Sequence, residues 1–153
     1  MCDQTPCKLM VEEITKCIRN ESKDCWNLRV NIGDKVSKNL KIHMVWIQGK
    51  VDAVIDNADK VAVLLNDGTG SVLVTNVGIS VSPEQLITKG NYCSAIGYIQ
   101  KVTDIPEVHA VKVSNLSRNT VFEKMWPYEV KELRLFLLGL VAPHLKSIED
   151  ESM

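Results

Sequence analysis

The segment LLNDGTGSVLV at 64–74 has the glycines and small polar residues that a phosphate-binding loop uses. Such a loop in nucleotide hydrolases needs a lysine and a hydroxyl directly after its last glycine, at the start of a helix. Gly70 is instead followed by Ser71 and three residues that favour a strand. Asn-Asp-Gly tolerates positive φ, and Gly70 can take a second left-handed position. The segment therefore predicts a hairpin in which Gly68 and Gly70 serve the turn.

Cysteine and histidine are the residue types that would build a metal site or a nucleophilic catalytic pair. They form no Cys-x-x-Cys pair and are scattered along the chain, at Cys2, Cys7, Cys17, Cys25, Cys93, His43, His109 and His144. The His-Glu-x-x-His and Gly-x-Ser-x-Gly patterns of hydrolases are also missing from the sequence. Groups distant in sequence can still converge in space. On these patterns we expect no catalytic residue, no metal site and no cofactor.

Composition indicates one soluble globular domain of 153 residues, 45% apolar and 24% charged. With 18 basic and 19 acidic residues, the chain lacks the basic excess usual in a dedicated nucleic-acid binder. We expect no secretory signal and no membrane span, because the longest apolar stretch, 135–142, is too short for a bilayer. Five cysteines leave one unpaired in any disulfide scheme, which favours free thiols in a reducing compartment.

Residues 40–118 are the expected barrel core. Alternating apolar residues predict five strands, in LKIHMVWIQGKVDAVI, VAVLLN, SVLVTNV, NYCSAIGYIQKV and VHAVKVSNL. Gly49 and Gly97 interrupt the first and fourth strands, as glycines do at bulges or bends that let a strand close a barrel. A short helix is expected at SPEQLI (82–87). This order predicts a mainly β fold, a five-stranded Greek-key barrel of the OB-fold type with an N-terminal helix and a C-terminal interface helix.

Residues 1–39 predict a helix and a linker that lead into the barrel. Thr5 can cap the helix with Pro6 at its first position. Apolar residues follow at helical spacing, at Met10, Ile14, Cys17 and Ile18. CWNLRV is expected as a short strand, and 31–39 as a turn-rich link.

The second and third strands argue against autonomous binding of single-stranded nucleic acid. Many OB-folds stack bases on aromatic side chains of these strands, within a basic groove. VAVLLN and SVLVTNV contain no aromatic residue, arginine or lysine. Trp46 and Tyr98 lie on other strands, where we expect them in the core.

The C-terminal helix, within 119–145, is expected from about Pro127 to Val141, before a disordered acidic tail at 146–153. One stripe of this helix carries Trp126, Val130, Leu133, Leu137, Leu140 and Val141. Further apolar residues off the stripe make its last two turns apolar nearly all round, and such a helix needs a second apolar partner. The N-terminal segment could supply that cover within the chain. We favour another subunit, because so large an exposed patch is unusual on a monomer.

Five blocks of the sequence resemble, in order and spacing, the RecQ-mediated genome instability protein 2 family. They are VWIQGKV, LNDGTGSVLV, KGNYCSAIGYIQ, VHAVKVSNLS and EKMWPYEVKEL, within about residues 40–135. Glycine-turn hairpins occur in many barrels. The more specific features are the tryptophan before Gln-Gly, the Ala-Val-Lys block and the tryptophan that opens the last helix. The leader and the residues after about 135 depart from the pattern.

The resemblance implies a nuclear, non-enzymatic OB-fold subunit with little direct nucleic-acid binding. In the family this subunit pairs with the C-terminal OB domain of RecQ-mediated genome instability protein 1. The pair joins topoisomerase III alpha and the Bloom-type RecQ helicase in the complex that dissolves double Holliday junctions. Lys112 matches a family lysine linked to assembly, although a solvated strand lysine would look the same, and Trp126 matches the tryptophan of the interface helix. We expect the partner-binding residues to be Lys112, Trp126, Val130, Leu133, Leu137 and Leu140.

Overall fold

A computed structural model describes residues 5–32, 36–57, 60–82 and 84–139. Its strands are β1 Cys7–Lys8, β2 Ile18–Asn20, β3 Cys25–Ile32, β4 Val36–Ile42, β5 Val45–Asn57, β6 Lys60–Asn66, β7 Ser71–Thr75, β8 Tyr92–Lys101 and β9 Glu107–Asn115. Its α-helices are α1 Val11–Ile14, α2 Val77–Ser80 and α3 Val121–Leu137. The predicted acidic tail at 146–153 and Leu140 lie outside the described residues.

Five strands close into a barrel in the order β5-β6-β7-β9-β8, with β8 pairing back onto β5. The long strand β5 makes closure possible, since its first half pairs with β8 and its second half with β6. Strand β1 adds to the free edge of β5 in parallel, with Cys7 opposite Val45. The predicted OB-fold barrel with helices towards both ends of the chain is therefore confirmed.

Gly49 and Gly97 are sites of close backbone approach. A Cβ on Gly97 would lie 2.1 Å from the carbonyl oxygen of His109, and one on Gly49 would lie 2.9 Å from that of Asn66. The β8–β9 register shifts between Ile96 and Gly97, as expected for a bulge. The shift in β5 falls beyond Gly49 in the chain, so that glycine serves strand packing and does not itself mark the bulge.

A second sheet, β2-β3-β4, packs on the barrel. The predicted strand CWNLRV extends to Ile32, and Val36–Ile42 pairs with it from Ile32↔Val36 to Trp26↔Ile42. The prediction of a turn-rich link at 31–39 is therefore wrong for the residues of this range that belong to β3 and β4. Residues alternate between the two sides of these strands, and this alternation buries Leu28 and Leu40 in the core. The Trp26 indole Nε1 also donates to the carbonyl oxygen of Ile99 at 3.1 Å, which ties this sheet to β8.

The N-terminal helix is a single turn, α1, and does not begin at Thr5-Pro6. Residues before it extend as β1, where main-chain bonds to β5 replace helical ones. Leu9, Val11 and Ile14 are then fully buried in the barrel core, and this burial decides the local structure. Ile18 belongs to β2 and is exposed.

The helix predicted at 82–87 is absent from its described residues, and the short helix lies earlier, at α2. The side-chain carbonyl oxygen of Gln85 accepts from the backbone N–H of Asn115 at 3.2 Å. Asn115 also donates from its side-chain amide to the carbonyl oxygen of Leu86. These bonds hold the segment along the end of β9 and compete with a helical turn.

Helix α3 begins six residues before Pro127 and ends at Leu137. The predicted start at proline was wrong because residues 119–120 supply the start signal: the side-chain oxygen of Asn119 accepts from the backbone N–H of Val121 at 3.0 Å. A proline inside a helix costs about 3 kcal/mol, which burial of the neighbouring Trp126 can offset. Of the two aromatic residues expected in the core, Trp46 is half-buried and Tyr98 is 39% exposed, so the expectation was wrong for Tyr98.

Candidate partner-binding surface

The inner face of α3 packs on the chain's own barrel, against β1 and β5. Trp126 and Val130 are 1% and 4% exposed. The Trp126 ring lies 6.1 Å from that of Trp46 on β5, at an interplanar angle of 42°. Lys8 Nζ lies 4.9 Å from the Trp46 ring centroid, which is a cation–π distance. Trp126 and Val130 therefore act as anchors of the helix within the subunit.

Two ion pairs fix the helix to the N-terminal segment. Lys8 Nζ lies 3.2 Å from Glu129 Oε1, and Arg134 pairs with Glu13. The Glu13 carboxylate also accepts from the backbone N–H of Met10 at 3.0 Å, so it caps α1 while it holds α3. Sequence reasoning missed these pairs because their partners lie 121 residues apart.

The outer face of α3 consists of Val121, Met125, Tyr128 and Phe136, which are 54%, 47%, 68% and 61% exposed. At 3.6 residues per turn these positions form one stripe, on the side of the helix opposite Trp126 and Val130. Glu132 lies within the stripe. Two further apolar side chains, Phe122 and Leu137, are also exposed on the helix. The structure therefore leaves an apolar strip along the helix that the described barrel does not cover.

The other described residues predicted for the interface lie on the inner stripe of α3 and on β9. Leu133 is half-buried and Leu137 is 37% exposed, and at 3.6 residues per turn both fall on the same stripe as Trp126 and Val130, near its C-terminal end. Lys112 is exposed on β9, beside the β-bulge opposite Ile96 and Gly97. Among the described residues, no hydrogen bond, ion pair or ring contact joins Lys112 to α3. The structure thus exposes a side of α3 that differs from the stripe predicted from the sequence.

The two turn glycines differ in their role. Gly68 has φ of +93° and open space around it, so the left-handed backbone is what favours glycine there. Gly70 does not have positive φ, contrary to expectation. A Cβ at Gly70 would lie 3.2 Å from Val11 Cγ1 of the N-terminal segment. Asp67 adds to this contact, because its carboxylate accepts from the backbone N–H of Val11 at 2.7 Å.

A groove of about 640 Å³ lies beside β6 and β7, the strands on which many OB-folds bind oligonucleotides. Its lining is largely apolar, with Ile55, Val61, Leu73 and Ile79. Lys60 is the one lysine or arginine among the described residues that line it. The described residues of the groove thus include no Phe, Trp or Tyr side chain on which a base could stack, and they do not form the basic rim of a strand-binding site.

The described part of the chain shows few groups that could bind a metal ion or act as a nucleophile. No group of three or more His, Cys, Asp and Glu side chains in it is placed to hold a metal ion, and no helix in it is long and apolar enough to cross a membrane. The described cysteines are free thiols, Cys7, Cys17, Cys25 and Cys93. Burial raises the pKa of Cys17 to about 12 and that of Cys93 to about 11, so both remain protonated and unreactive near neutral pH.

The chain is similar in sequence to known members of a protein family. The sequence profile of the family described as RecQ-mediated genome instability protein 2 matches residues 5–134. The chain belongs to this family. The family protein of Bos taurus is 28% identical over 136 residues, which cover 88% of this chain and 82% of the bovine protein. That of Gallus gallus is 31% identical over 94 residues, 61% of this chain and 68% of the chicken protein.

Solved structures support the OB-fold. A chain of the S. pombe Stn1–Ten1 complex superimposes with a TM-score of 0.66 at 16% identity, covering 89% of this chain and 94% of that one. A chain of a replication protein A heterotrimer bound to single-stranded DNA gives 0.64 at 14% identity, with 90% and 99% covered. At such identities these likenesses concern the fold alone.

Proposed function

We propose that this chain is a non-catalytic, nuclear OB-fold subunit that pairs with another OB-fold protein, RecQ-mediated genome instability protein 1. Through this partner it would stabilise the complex of topoisomerase III alpha and the Bloom-type RecQ helicase that dissolves double Holliday junctions. Membership of the family supports a role in genome stability. The observation that supports the proposed pairing is the exposed apolar outer face of α3.

The outer face has the character of an interface anchor. Tyr128, Met125 and Phe136 belong to residue types enriched at the cores of protein interfaces. The inner face and two ion pairs already hold α3 on the barrel, so the helix is presented in one orientation before binding. A preorganised surface loses less conformational entropy on association, which favours affinity. An obligate contact of this kind buries upwards of about 2,000 Å² in total.

This geometry revises the expected anchors. Trp126 and Val130 would support the interface indirectly, because substitution there loosens the helix from its own barrel. Met125, Tyr128 and Phe136 would contact the partner directly. Lys112 would add a polar contact only if the partner extends over β9.

The experiment is co-expression with the suspected partner, followed by mass measurement of the purified species. Met125→Glu and Phe136→Glu place a charge within the apolar contact and should abolish the pair, because an unpaired charge there is strongly unfavourable. Lys131→Glu is the matched control: it is exposed on the same helix, off the outer face, and changes the net charge more. It should retain the pair.

Melting temperatures of all variants separate loss of binding from loss of folding. If the outer-face variants still hold the partner at nanomolar affinity, the pairing must use another surface. A homodimer in the mass of the isolated chain, abolished by the same variants, would assign the face to a second copy of this chain.

The alternative function is a free-standing single-strand binder, which the fold alone motivates. Sub-micromolar, steeply salt-dependent binding of an oligonucleotide by the isolated chain would favour it over the pairing. The largely apolar β6–β7 groove argues against this alternative.

A further inference from the structure

Ser82-Pro83 is one of two Ser/Thr-Pro dipeptides in the chain, and Thr5-Pro6 is the other. Serine before proline is a start signal when the serine caps a helix. It is also the dipeptide that proline-directed protein kinases recognise. No helix begins at Ser82 among the described residues, so capping does not explain the dipeptide. The Ser82 side chain instead lies exposed on an irregular segment.

A cavity of about 440 Å³ opens beside Ser82. Its described lining includes Asn115 at the end of β9 and Arg118 on the connection between β9 and α3. Arg118 is exposed, and none of the ion pairs found in the described part of the chain involves it. A serine hydroxyl and a long cationic side chain without a carboxylate partner there therefore share one cavity.

The end of β9 holds the segment after Ser82 beside this cavity. Asn115 makes two bonds with it, from its backbone N–H to Gln85 Oε1 at 3.2 Å and from its side-chain amide to the carbonyl oxygen of Leu86 at 3.0 Å. These bonds leave the Ser82 hydroxyl exposed. They also keep it on the same side of the molecule as Arg118.

The two Ser/Thr-Pro dipeptides differ in how firmly the backbone around them is paired. Thr5-Pro6 leads directly into β1, whose backbone pairs with β5. Ser82 follows a single bridge between Val81 and Val113, and side-chain bonds hold the residues after it. Local opening of such a segment costs less than removal of a strand from a sheet. A kinase therefore gains access more readily at Ser82.

Glu84 determines where a phosphate at this position would point. The Ser82 hydroxyl donates to the Glu84 carboxylate, and this hydrogen bond lowers the pKa of Glu84 below its ordinary value. The carboxylate is therefore charged near neutral pH. A phosphate carries about −1.5 to −2 charges, so it is repelled by Glu84. The cavity that contains Arg118 offers it the opposite charge.

We propose that Ser82 is a phosphorylation site for a proline-directed serine/threonine kinase and that Arg118 binds the phosphate. In this transfer the Ser82 hydroxyl oxygen attacks the terminal phosphorus of ATP, and its proton passes to the catalytic aspartate of the kinase. The new O–P bond replaces the bond from that phosphorus to the β–γ bridging oxygen, and ADP leaves. Arginine binds the product well because its guanidinium forms two parallel, charge-assisted bonds with phosphate oxygens.

The phosphate would form a new contact next to the start of α3. Arg118 precedes Asn119, whose side-chain oxygen accepts from the backbone N–H of Val121 at 3.0 Å. A bond between phosphorylated Ser82 and Arg118 would join the segment after β7 and α2 to this start signal. The contact is made within this chain alone, so it goes beyond the proposed pairing and does not depend on it.

The first test is phosphorylation of the folded full chain by a purified cyclin-dependent kinase with ATP, followed by peptide mapping by mass spectrometry. Ser82 should carry phosphate in the parent chain. Pro83→Ala keeps the hydroxyl but removes the proline that the kinase recognises, and it should lose most of the modification. Thr5→Ala removes the other dipeptide and should leave the phosphate at Ser82 unchanged. Circular dichroism shows that each variant is folded.

Phosphorus NMR of the phosphorylated chain tests the role of Arg118. The second pKa of phosphoserine is about 6, and a nearby guanidinium lowers it because it stabilises the dianion. The phosphate pKa should therefore be higher in Arg118→Gln than in the parent chain, by about half a unit or more. Lys124→Gln removes the same charge from an exposed position outside the described lining of the cavity. It should leave the phosphate pKa at the parent value.

Absence of phosphate from Ser82 in the folded chain, or equal modification of Pro83→Ala, would overturn the kinase site. Modification that appears only after the chain is unfolded would overturn it as well, because the folded segment would then be inaccessible. A phosphate pKa that is the same in the parent chain and in Arg118→Gln would overturn binding by Arg118. Pairing is measured separately by mass, so its failure is distinguishable from failure of this site.

Discussion

Two tryptophans of this chain should respond differently to the same substitution. Trp126 is 1% exposed, and its indole N–H has no hydrogen-bond partner among the described residues. Trp26 is only half-buried, but its indole N–H donates to the carbonyl oxygen of Ile99 at 3.1 Å. Burial alone predicts the greater loss of stability at Trp126, whereas hydrogen bonding predicts the opposite order.

The magnitudes favour hydrogen bonding. Burying an unpaired donor costs about 1–3 kcal/mol, and Trp126→Phe removes that cost while it loses part of the ring packing. Trp26→Phe loses packing as well as a hydrogen bond that contributes about 0.5–1.5 kcal/mol. We therefore expect Trp26→Phe to lower the free energy of unfolding by about 2 kcal/mol more than Trp126→Phe. In a chain of this size that difference separates the melting temperatures by about 4–8 °C.

The assay is urea unfolding followed by circular dichroism, which does not depend on which tryptophan remains. Trp126→Ala calibrates the scale, because it leaves a cavity beside Trp46 and should cost about 3–5 kcal/mol. The reasoning is refuted if Trp126→Phe is the more destabilising of the two phenylalanine variants. The indole N–H would then have an acceptor, or ring packing would dominate.

The remaining predictions concern the barrel glycines, the buried thiols and metal dependence. Gly97→Ala should lower the free energy of unfolding by about 4 kcal/mol or more in urea unfolding, because its Cβ would lie 2.1 Å from the carbonyl oxygen of His109. Gly90→Ala should cost only about 1–3 kcal/mol, because Gly90 has a φ of +93° but open space around it. Burial raises the pKa of Cys17 from 9.0 to about 12 and that of Cys93 from 9.0 to about 11, so the folded state binds more protons than the unfolded state above about pH 9. Stability should therefore be unaffected by these thiols below pH 9 and fall between pH 9 and about 12, as measured by the urea midpoint; a midpoint that rises over this range would contradict the assigned burial. Dialysis against a chelator should leave the melting temperature and partner binding unchanged, and unfolding would reveal a structural metal.

The barrel could be predicted because its signals are local. Alternating apolar residues define the strands, and glycine with small polar residues defines the hairpin before β7. Tyr98 is out of phase with the buried Cys93, Ala95 and Ile99 of β8, although Tyr92 and Ser94, which are in phase with it, are also buried. Treating an aromatic residue as core by its type alone gave the wrong expectation.

The N-terminal segment could not be predicted in the same way. Its structure depends on partners far along the chain: β1 pairs with β5, and Lys8 and Glu13 pair with residues of α3. The helical spacing of apolar residues correctly placed Ile14 in a helix, but it predicted a helix that is too long. Burial of this segment against the barrel outweighs the local preference for a longer helix. Without these contacts the sequence also could not indicate which side of α3 faces the barrel.

The proposed division into 1–39, 40–118, 119–145 and 146–153 remains a prediction. The core nevertheless includes residues before 40, such as Leu9 and Leu28. Removing the first 39 residues would therefore expose apolar core surface.

Hydroxyl-radical labelling of the chain, alone and in the purified pair, tests the central claim most directly, because it needs no substitution. Met125 and Tyr128 on the outer face should be modified in the isolated chain and strongly protected in the pair, since the partner would exclude water from them. Tyr98 is exposed on β8, away from α3, and serves as the internal reference whose labelling should not change. Unchanged labelling of Met125 and Tyr128 in a pair of confirmed mass would contradict the account and place the partner on another surface.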